Sequence, residues 1–139
     1  MRTITTVSES IKLKNYGIDV STADAYYPVD KDDPSVVSGL PEVGNPDIVL
    51  EWINNGNSKD SMLTIDSFCI PAWSLTSLLS MISGKFSIEI ETDAEGVIWI
   101  HTVLSSMPGK DLVEAAVKTV VALSKKGYYT ASRECSETT

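Results

Sequence analysis

Four residues in the second half of the chain could do chemistry together: Glu89, Glu91, Trp99 and His101, the last being the only histidine. Each pair has the i, i+2 spacing of side chains on one face of a β-strand. A carboxylate beside an imidazole favours the charged ring, which could then titrate near neutral pH. An aromatic residue among polar neighbours is equally typical of a protein-binding surface. We predict the binding surface, because a lone histidine beside a glutamate is more often structural than catalytic.

These four residues lie together only if residues 86–104 form a β-hairpin. Alternating apolar and polar residues predict the two strands, and Asp93 and Gly96 suit a three-residue loop between them. With that loop, Glu89 lies near His101 across the strands. A loop of two or four residues would shift the register and turn the indole and the imidazole into the core.

The acidic residues are concentrated in one part of the chain. Residues 19–66 contain ten acidic residues and two lysines, a net charge of −8, which equals the net charge of the whole chain. Four of the six prolines lie in residues 26–46. Proline disfavours helix, so we predict a long irregular acidic loop over residues 21–46 that packs on the domain or on a partner. The partner-binding residues that we assign to this region are Asp24, Asp30, Asp32, Asp33, Glu42, Asp47, Tyr26 and Tyr27.

The rest of the chain predicts a small α+β fold. Residues 1–20 fit either a short helix or a strand. Strands are expected at Asp47–Ile53 and Met62–Ile70, with an Asn-Gly turn between them. Apolar residues at i, i+3, i+4 and i+7 predict a helix over 72–83, and a second helix is expected over 110–126. The core order is then β-β-α-β-β-α, a small antiparallel sheet with helices packed on one face.

The predicted helix over 72–83 has an uncharged second face. Opposite its leucines lie one tryptophan and small hydroxyl residues, whereas a solvent-facing helix usually carries lysine and glutamate. Such a face suggests burial against another element of the chain or against a second subunit. We include Trp73 among the partner-binding residues, together with Glu89, Glu91, Trp99 and His101.

The usual enzyme signatures are absent from the sequence. A single histidine excludes a multi-histidine metal site, and no phosphate-binding loop, nucleophile elbow or dinucleotide motif is present. Cys69 with His101 could form a nucleophile–base pair, but the apolar neighbours of Cys69 predict a buried thiol. We expect no enzyme activity, no catalytic residue, no metal and no cofactor.

Charge also limits the partners. Binding to nucleic acid or to an anionic membrane surface needs clustered lysine and arginine, which this acidic chain lacks, and neither is expected as a direct partner. The first residues contain no apolar run of signal-peptide length, and a cytoplasmic location is expected. One domain is expected over residues 1–127, followed by a flexible tail over 128–139.

We therefore expect a non-enzymatic, acidic protein-binding module. It would act as an inhibitor or immunity-type protein, or as a DNA mimic, by occupying the basic surface of a nuclease or of a nucleic-acid-binding partner. Element order, size and acidity also resemble small acidic bacterial secretion chaperones, which form homodimers, although no motif carries that likeness and the loop at 26–46 departs from it. The resemblance implies a homodimer, for which the face of helix 72–83 would be the contact. A third alternative is an enzyme that uses carboxylates or the Cys69/His101 pair.

Overall fold

A computed structural model describes residues 2–30 and 32–129 of the 139-residue chain. Helices and antiparallel sheets give an α+β fold, which confirms the predicted class. None of the helices formed by these residues is long and apolar enough to cross a membrane. The helices are α1 (Val7–Asn15), α2 (Pro46–Asn54), α3 (Ile65–Phe68), α4 (Leu75–Ser83) and α5 (Leu112–Ser124). The strands are β1 (Ala25–Asp30), β2 (Asp33–Val37), β3 (Glu42–Val43), β4 (Cys69–Ala72), β5 (Glu89–Thr92), β6 (Ile98–His101) and β7 (Ser106–Gly109).

The first sheet is built around β1, in the region where we predicted an irregular loop. β1 pairs antiparallel with β2, β3 and β4, and Ala25 lies opposite both Val43 and Ala72, so β3 and β4 flank it. The proline in this strand is tolerated because only its amide donor is missing. The Pro28 carbonyl oxygen still accepts a hydrogen bond from the Ser38 amide at 2.8 Å. The prediction of a long irregular loop was therefore wrong.

The predicted hairpin over residues 47–70 is also absent from the structure. α2 occupies the first predicted strand, because the Asn45 side chain accepts from the Ile48 amide at 3.1 Å and Pro46 stands in the first turn. α3 occupies much of the second predicted strand, where Thr64 and Ser67 form a reciprocal cap. In both places the capping residues outweigh the alternation of apolar residues that favoured strands.

The second sheet has the strand order β5-β6-β7, and its first hairpin confirms the predicted register. Ile90 lies opposite Ile100, and Glu91 lies opposite Trp99. The Asp93 amide donates to the Val97 carbonyl oxygen at 2.9 Å, which closes the three-residue loop. The third strand, β7, pairs antiparallel with β6.

The main core lies between the second sheet and the two helices predicted from apolar spacing, α4 and α5. Leu78 and Ile82 of α4, Ile100 of β6 and Val120 of α5 are completely buried together. β7 approaches α5 so closely that a Cβ atom on Gly109 would lie 2.4 Å from the Ala115 amide nitrogen. Only glycine allows that approach.

The two ends of the described chain pack on this core. Of the two interpretations of residues 1–20, the helical one is correct, and Thr6 with Glu9 forms the capping box of α1. Tyr128 and Tyr129 pack against the core, and the Tyr129 carbonyl oxygen accepts from the Asp19 amide. These two residues were predicted to belong to a loose tail, of which residues 130–139 lie outside the described part of the chain.

Candidate protein-binding surfaces

Two large apolar residues of α2 are strongly exposed. Ile48 is 67% exposed and Trp52 is 83% exposed, and their i, i+4 spacing puts them on one face of the helix. Asp47 and Glu51, with the same spacing, form an exposed acidic stripe beside them. We call these four residues the α2 surface. Contiguous exposed apolar groups are typical of an interaction site.

Side-chain hydrogen bonds attach both ends of α2 to neighbouring segments of the chain. At its start, the Asn45 side chain caps the helix and also donates to the Ala23 carbonyl oxygen at 2.7 Å. At its end, the Asn54 side chain donates to the Leu63 carbonyl oxygen at 2.9 Å and accepts from the Leu63 amide at 2.8 Å. Hydrogen bonds thus hold both ends of the helix, and Ile48 and Trp52 on its outer face are exposed.

The apolar exposure continues beyond the helix. A cleft of about 460 Å³ beside α2 is lined by Leu50, Glu51, Met62 and neighbouring asparagines. Four more large apolar residues of this part of the chain are exposed: Val36, Leu40, Val43 and Met62. Acidic and apolar groups therefore share one part of the molecule.

Most of the predicted acidic residues lie on the outside of this region. Asp30, Asp32, Asp33, Glu42 and Asp47 are all exposed. Asp33 accepts from the hydroxyl and from the amide of Ser35, and these hydrogen bonds lower the pKa of its carboxyl group.

Asp24 differs from the other predicted acidic residues. It is half-buried and accepts from the Ser74 amide at 2.8 Å and from the Ser74 hydroxyl at 2.5 Å. These bonds fix the chain at the start of α4. Its role here is structural.

Two of the predicted aromatic contact residues lie inside the protein instead. Trp73 is fully buried, and its indole Nε1 donates to the Thr22 hydroxyl at 2.9 Å. Tyr27 is 6% exposed, and its hydroxyl donates to the Thr5 carbonyl oxygen at 2.7 Å. Neither side chain is presented to a partner. Tyr26 remains half-buried, with its ring centroid 5.1 Å from that of Phe68.

Part of the uncharged face of the predicted helix 72–83 is covered by the same chain. The Ser77 hydroxyl donates to the Thr22 carbonyl oxygen at 2.6 Å, next to the Trp73–Thr22 bond. Small hydroxyl residues suit this position because they satisfy the backbone of a closely packed segment. Much of the face proposed for a dimer contact is thus occupied by residues 22–24.

The outer face of the second sheet brings together the four residues predicted for it. The His101 ring lies 6.1 Å from the Trp99 ring, at an interplanar angle of 4°. Backbone register places Glu89 opposite His101, as predicted, but the imidazole Nε2 bonds to the Glu91 carboxylate at 2.5 Å. The Trp99 indole Nε1 donates to Asp93 at 3.0 Å, and that bond lowers the pKa of the Asp93 carboxyl.

Sequence reasoning missed Ser106, whose hydroxyl lies 2.8 Å from His101 Nδ1. Ser106 lies beside His101 because β7 pairs with β6 and puts these two residues opposite each other. Serine, histidine and glutamate in this order are the groups of a nucleophile, a base and an orienting acid. Such a nucleophile also needs a water-excluding site that stabilises the oxyanion, and Ser106 lies exposed on an open sheet face.

Cys69 is placed far from this chemistry in the fold. It is buried in β4 of the first sheet, whereas His101 is in β6 of the second. Burial raises the pKa of the Cys69 thiol to about 12, which keeps it protonated. Among the described residues, no cluster of histidine, cysteine and carboxylate groups is arranged to hold a metal ion.

Sequence reasoning also missed Trp52, because the residues around it were predicted to form a strand. The signal that identifies the helix is Asn45-Pro46 followed by Asp47, a cap, a first-turn proline and a first-turn acid. Comparisons with models of protein families, with curated proteins and with solved structures found no match to this chain.

Proposed function

We propose that this protein is a protein-binding module that docks the α2 surface into an apolar groove with a basic rim on its partner. The observation that carries the proposal is the exposure of Trp52 and Ile48 on a helix whose only charged residues are acidic. An amphipathic helix laid into a groove is a common mode of protein recognition. An inhibitor of a nuclease or of another nucleic-acid-binding protein fits this chemistry, because such partners are basic.

The two kinds of group on the α2 surface would do different work. Tryptophan is enriched among the residues whose truncation costs most binding energy, about 2 kcal/mol or more, so Trp52 is the expected anchor. Asp47 and Glu51 would speed the encounter with a basic partner and favour it over others. Carboxylates at the rim contribute less to the lifetime of the complex.

Charge disfavours a second copy of this chain as the occupant of the α2 surface. In a symmetric dimer each copy presents the same patch, so Asp47 and Glu51 of both copies would lie together. That contact would bury like charges against each other. A partner of opposite charge avoids the repulsion.

The test is affinity capture from the native host with the protein and with Trp52→Ala, followed by binding measurements on the purified partner. We expect a basic partner that the variant binds at least tenfold more weakly, since 1.4 kcal/mol is a tenfold change in affinity. Leu104→Ala is the matched control, because Leu104 is also exposed, at 41%, but lies between β6 and β7. It should leave binding unchanged.

Salt provides the second readout. Binding should weaken several-fold as ionic strength rises, and the double variant Asp47→Asn, Glu51→Gln should flatten that dependence. Equal retention of the partner by Trp52→Ala, or binding that is indifferent to salt, would contradict the proposal.

A further inference from the structure

Both ring nitrogens of His101 have hydrogen-bond partners, Ser106 and Glu91. A carboxylate can only accept hydrogen bonds, so the Nε2 that bonds to Glu91 at 2.5 Å carries a hydrogen. In the neutral ring Nδ1 is then an acceptor, and it receives the Ser106 hydroxyl at 2.8 Å. With both ring nitrogens occupied, only the two faces of the ring remain for further contacts.

One of those two faces is turned towards Trp99 and the other borders a cleft. Trp99 lies on the side of the first face, with its ring almost parallel to the imidazole, at 4° and 6.1 Å between the centroids. A cleft of about 590 Å³ is lined by His101 but not by Trp99. The cleft therefore meets the ring on the side away from the indole.

The cleft also contains a carboxylate that is open to a ligand. Glu89 lies opposite His101 on β5, lines the cleft and has no hydrogen-bonded partner within the described residues. The hairpin around it carries three more acidic residues, Glu91, Asp93 and Glu95, and no lysine or arginine between positions 86 and 104. The local field favours a cation.

We propose that this cleft binds a guanidinium group, as on an arginine side chain, stacked on the free face of His101 and paired with Glu89. A guanidinium is flat, weakly hydrated and able to stack on aromatic rings while it donates two parallel hydrogen bonds to a carboxylate. The imidazole, whose Nε2 is bonded to a carboxylate, presents a flat ring face on which a guanidinium can stack. A lysine ammonium can form the ion pair but cannot stack.

Lys85 lies in the same cleft and carries the opposite sign. Its ammonium is exposed on a flexible stem and would repel a bound guanidinium through solvent. The cleft thus contains one residue whose neutralisation should weaken binding and one whose neutralisation should strengthen it. A purely structural role for either residue would not produce that pair of opposite effects.

The test is an NMR titration of the full chain with the capped tripeptide Gly-Arg-Gly, followed at the His101 and Trp99 ring signals. Capped Gly-citrulline-Gly, which keeps the shape and loses the charge, and capped Gly-Lys-Gly are the comparison probes. We expect saturable shifts with the arginine peptide and at least fivefold weaker binding of the other two. Glu89→Gln should weaken binding of the arginine peptide about fivefold, the factor of a 1 kcal/mol ion pair, and Lys85→Gln should strengthen it about twofold.

Glu95→Gln is the matched control, because Glu95 is an exposed carboxylate in the loop of the same hairpin and does not line the cleft. It should leave the affinity within twofold of the wild type. Equal binding of the citrulline peptide, or equal losses in Glu89→Gln and Glu95→Gln, would overturn the proposal. Trp52→Ala should not alter this titration, so failure here and failure of the α2 proposal are separate results.

Discussion

Two apolar helices of this protein are used in opposite ways. In α5, nine residues are buried, and they pack against the second sheet and against α4. In α2, only Pro46 is buried, and a tryptophan and an isoleucine face outwards. An apolar helix therefore does not have to be a core helix. The two helices differ in what holds them. The apolar face of α5 is covered by other elements, whereas α2 is held at its ends by side-chain hydrogen bonds.

Charge follows the same division between the two regions. Asp111, at the start of α5, accepts from Arg2 at 2.9 Å, and Arg2 also binds Glu9 of α1. Asp47 and Glu51 on α2 form no ion pair within the described residues. Paired carboxylates near α5 tie elements together, whereas the carboxylates of α2 remain open to a partner.

The largest expected difference is in the free energy of unfolding after replacement of two tryptophans, one buried in the core and one exposed on α2. Trp73→Ala should lower the free energy of unfolding by about 3–5 kcal/mol, because it leaves a cavity in the core and removes the hydrogen bond from the indole to the Thr22 hydroxyl. Trp52→Ala should change it by less than about 0.5 kcal/mol, because its indole is already in water. Urea denaturation of both variants measures the contrast. A large loss in Trp52→Ala would mean that α2 belongs to the core and is not a binding surface.

The second half of the fold was predictable because its local signals agree with its packing. In the hairpin of β5 and β6, alternation, the turn residues Asp93 and Gly96, and the buried Ile100 all indicate the same register. Spacing of apolar residues likewise identified α4 and α5. In the first half the local signals conflict. The prolines near β1 and the alternation over α2 were misleading, because Asn45 as a cap and long-range pairing with β4 decide the structure there.

The candidate sites were predictable to a different extent. Glu89, Glu91, Trp99 and His101 share a face because strand periodicity alone puts them there. Ser106 was missed, since its partner is set by a third strand with no alternating pattern. Trp52 was missed because an apolar residue in an apolar stretch gives no sign of exposure. Trp73 was assigned to a partner contact for a different reason: an uncharged helix face does not indicate which element covers it.

Two glycine substitutions compare the close packing of β7 on α5 with the packing of the segment between β2 and β3. Gly109→Ala should lower the free energy of unfolding by about 1–3 kcal/mol, because the new Cβ would lie 2.4 Å from the Ala115 amide nitrogen and 2.8 Å from the Asp111 carbonyl oxygen. Gly39→Ala, between β2 and β3, should leave it unchanged or raise it by up to about 1 kcal/mol, because nothing lies within 4 Å of its Cβ position. Thermal denaturation distinguishes the two. Equal losses of stability in the two variants would show that the segment between β2 and β3 is packed as tightly as the contact between β7 and α5.

The smallest expected effect concerns the paired carboxylates. Partial burial by itself raises the pKa of Glu9 and of Asp111, but the hydrogen bonds from Arg2 and from nearby amides outweigh it and leave both below their usual values. Carboxylates with lowered native pKa values stabilise the fold above their unfolded-state values of about 4, and this stabilisation is lost as pH falls through the native values.

Arg2→Gln should therefore be less stable than the wild type by about 1 kcal/mol at pH 7, and the gap should close below about pH 4 as Glu9 and Asp111 become protonated. Glu51→Gln, which removes a carboxylate from the α2 surface, should show no such gap at either pH. Melting temperatures measured from pH 7 to pH 3 test both variants. If Glu51→Gln lost stability as Arg2→Gln does, the carboxylates of α2 would have a structural role. The contrast between the ion-paired carboxylates near α5 and the unpaired carboxylates of α2 would then be wrong.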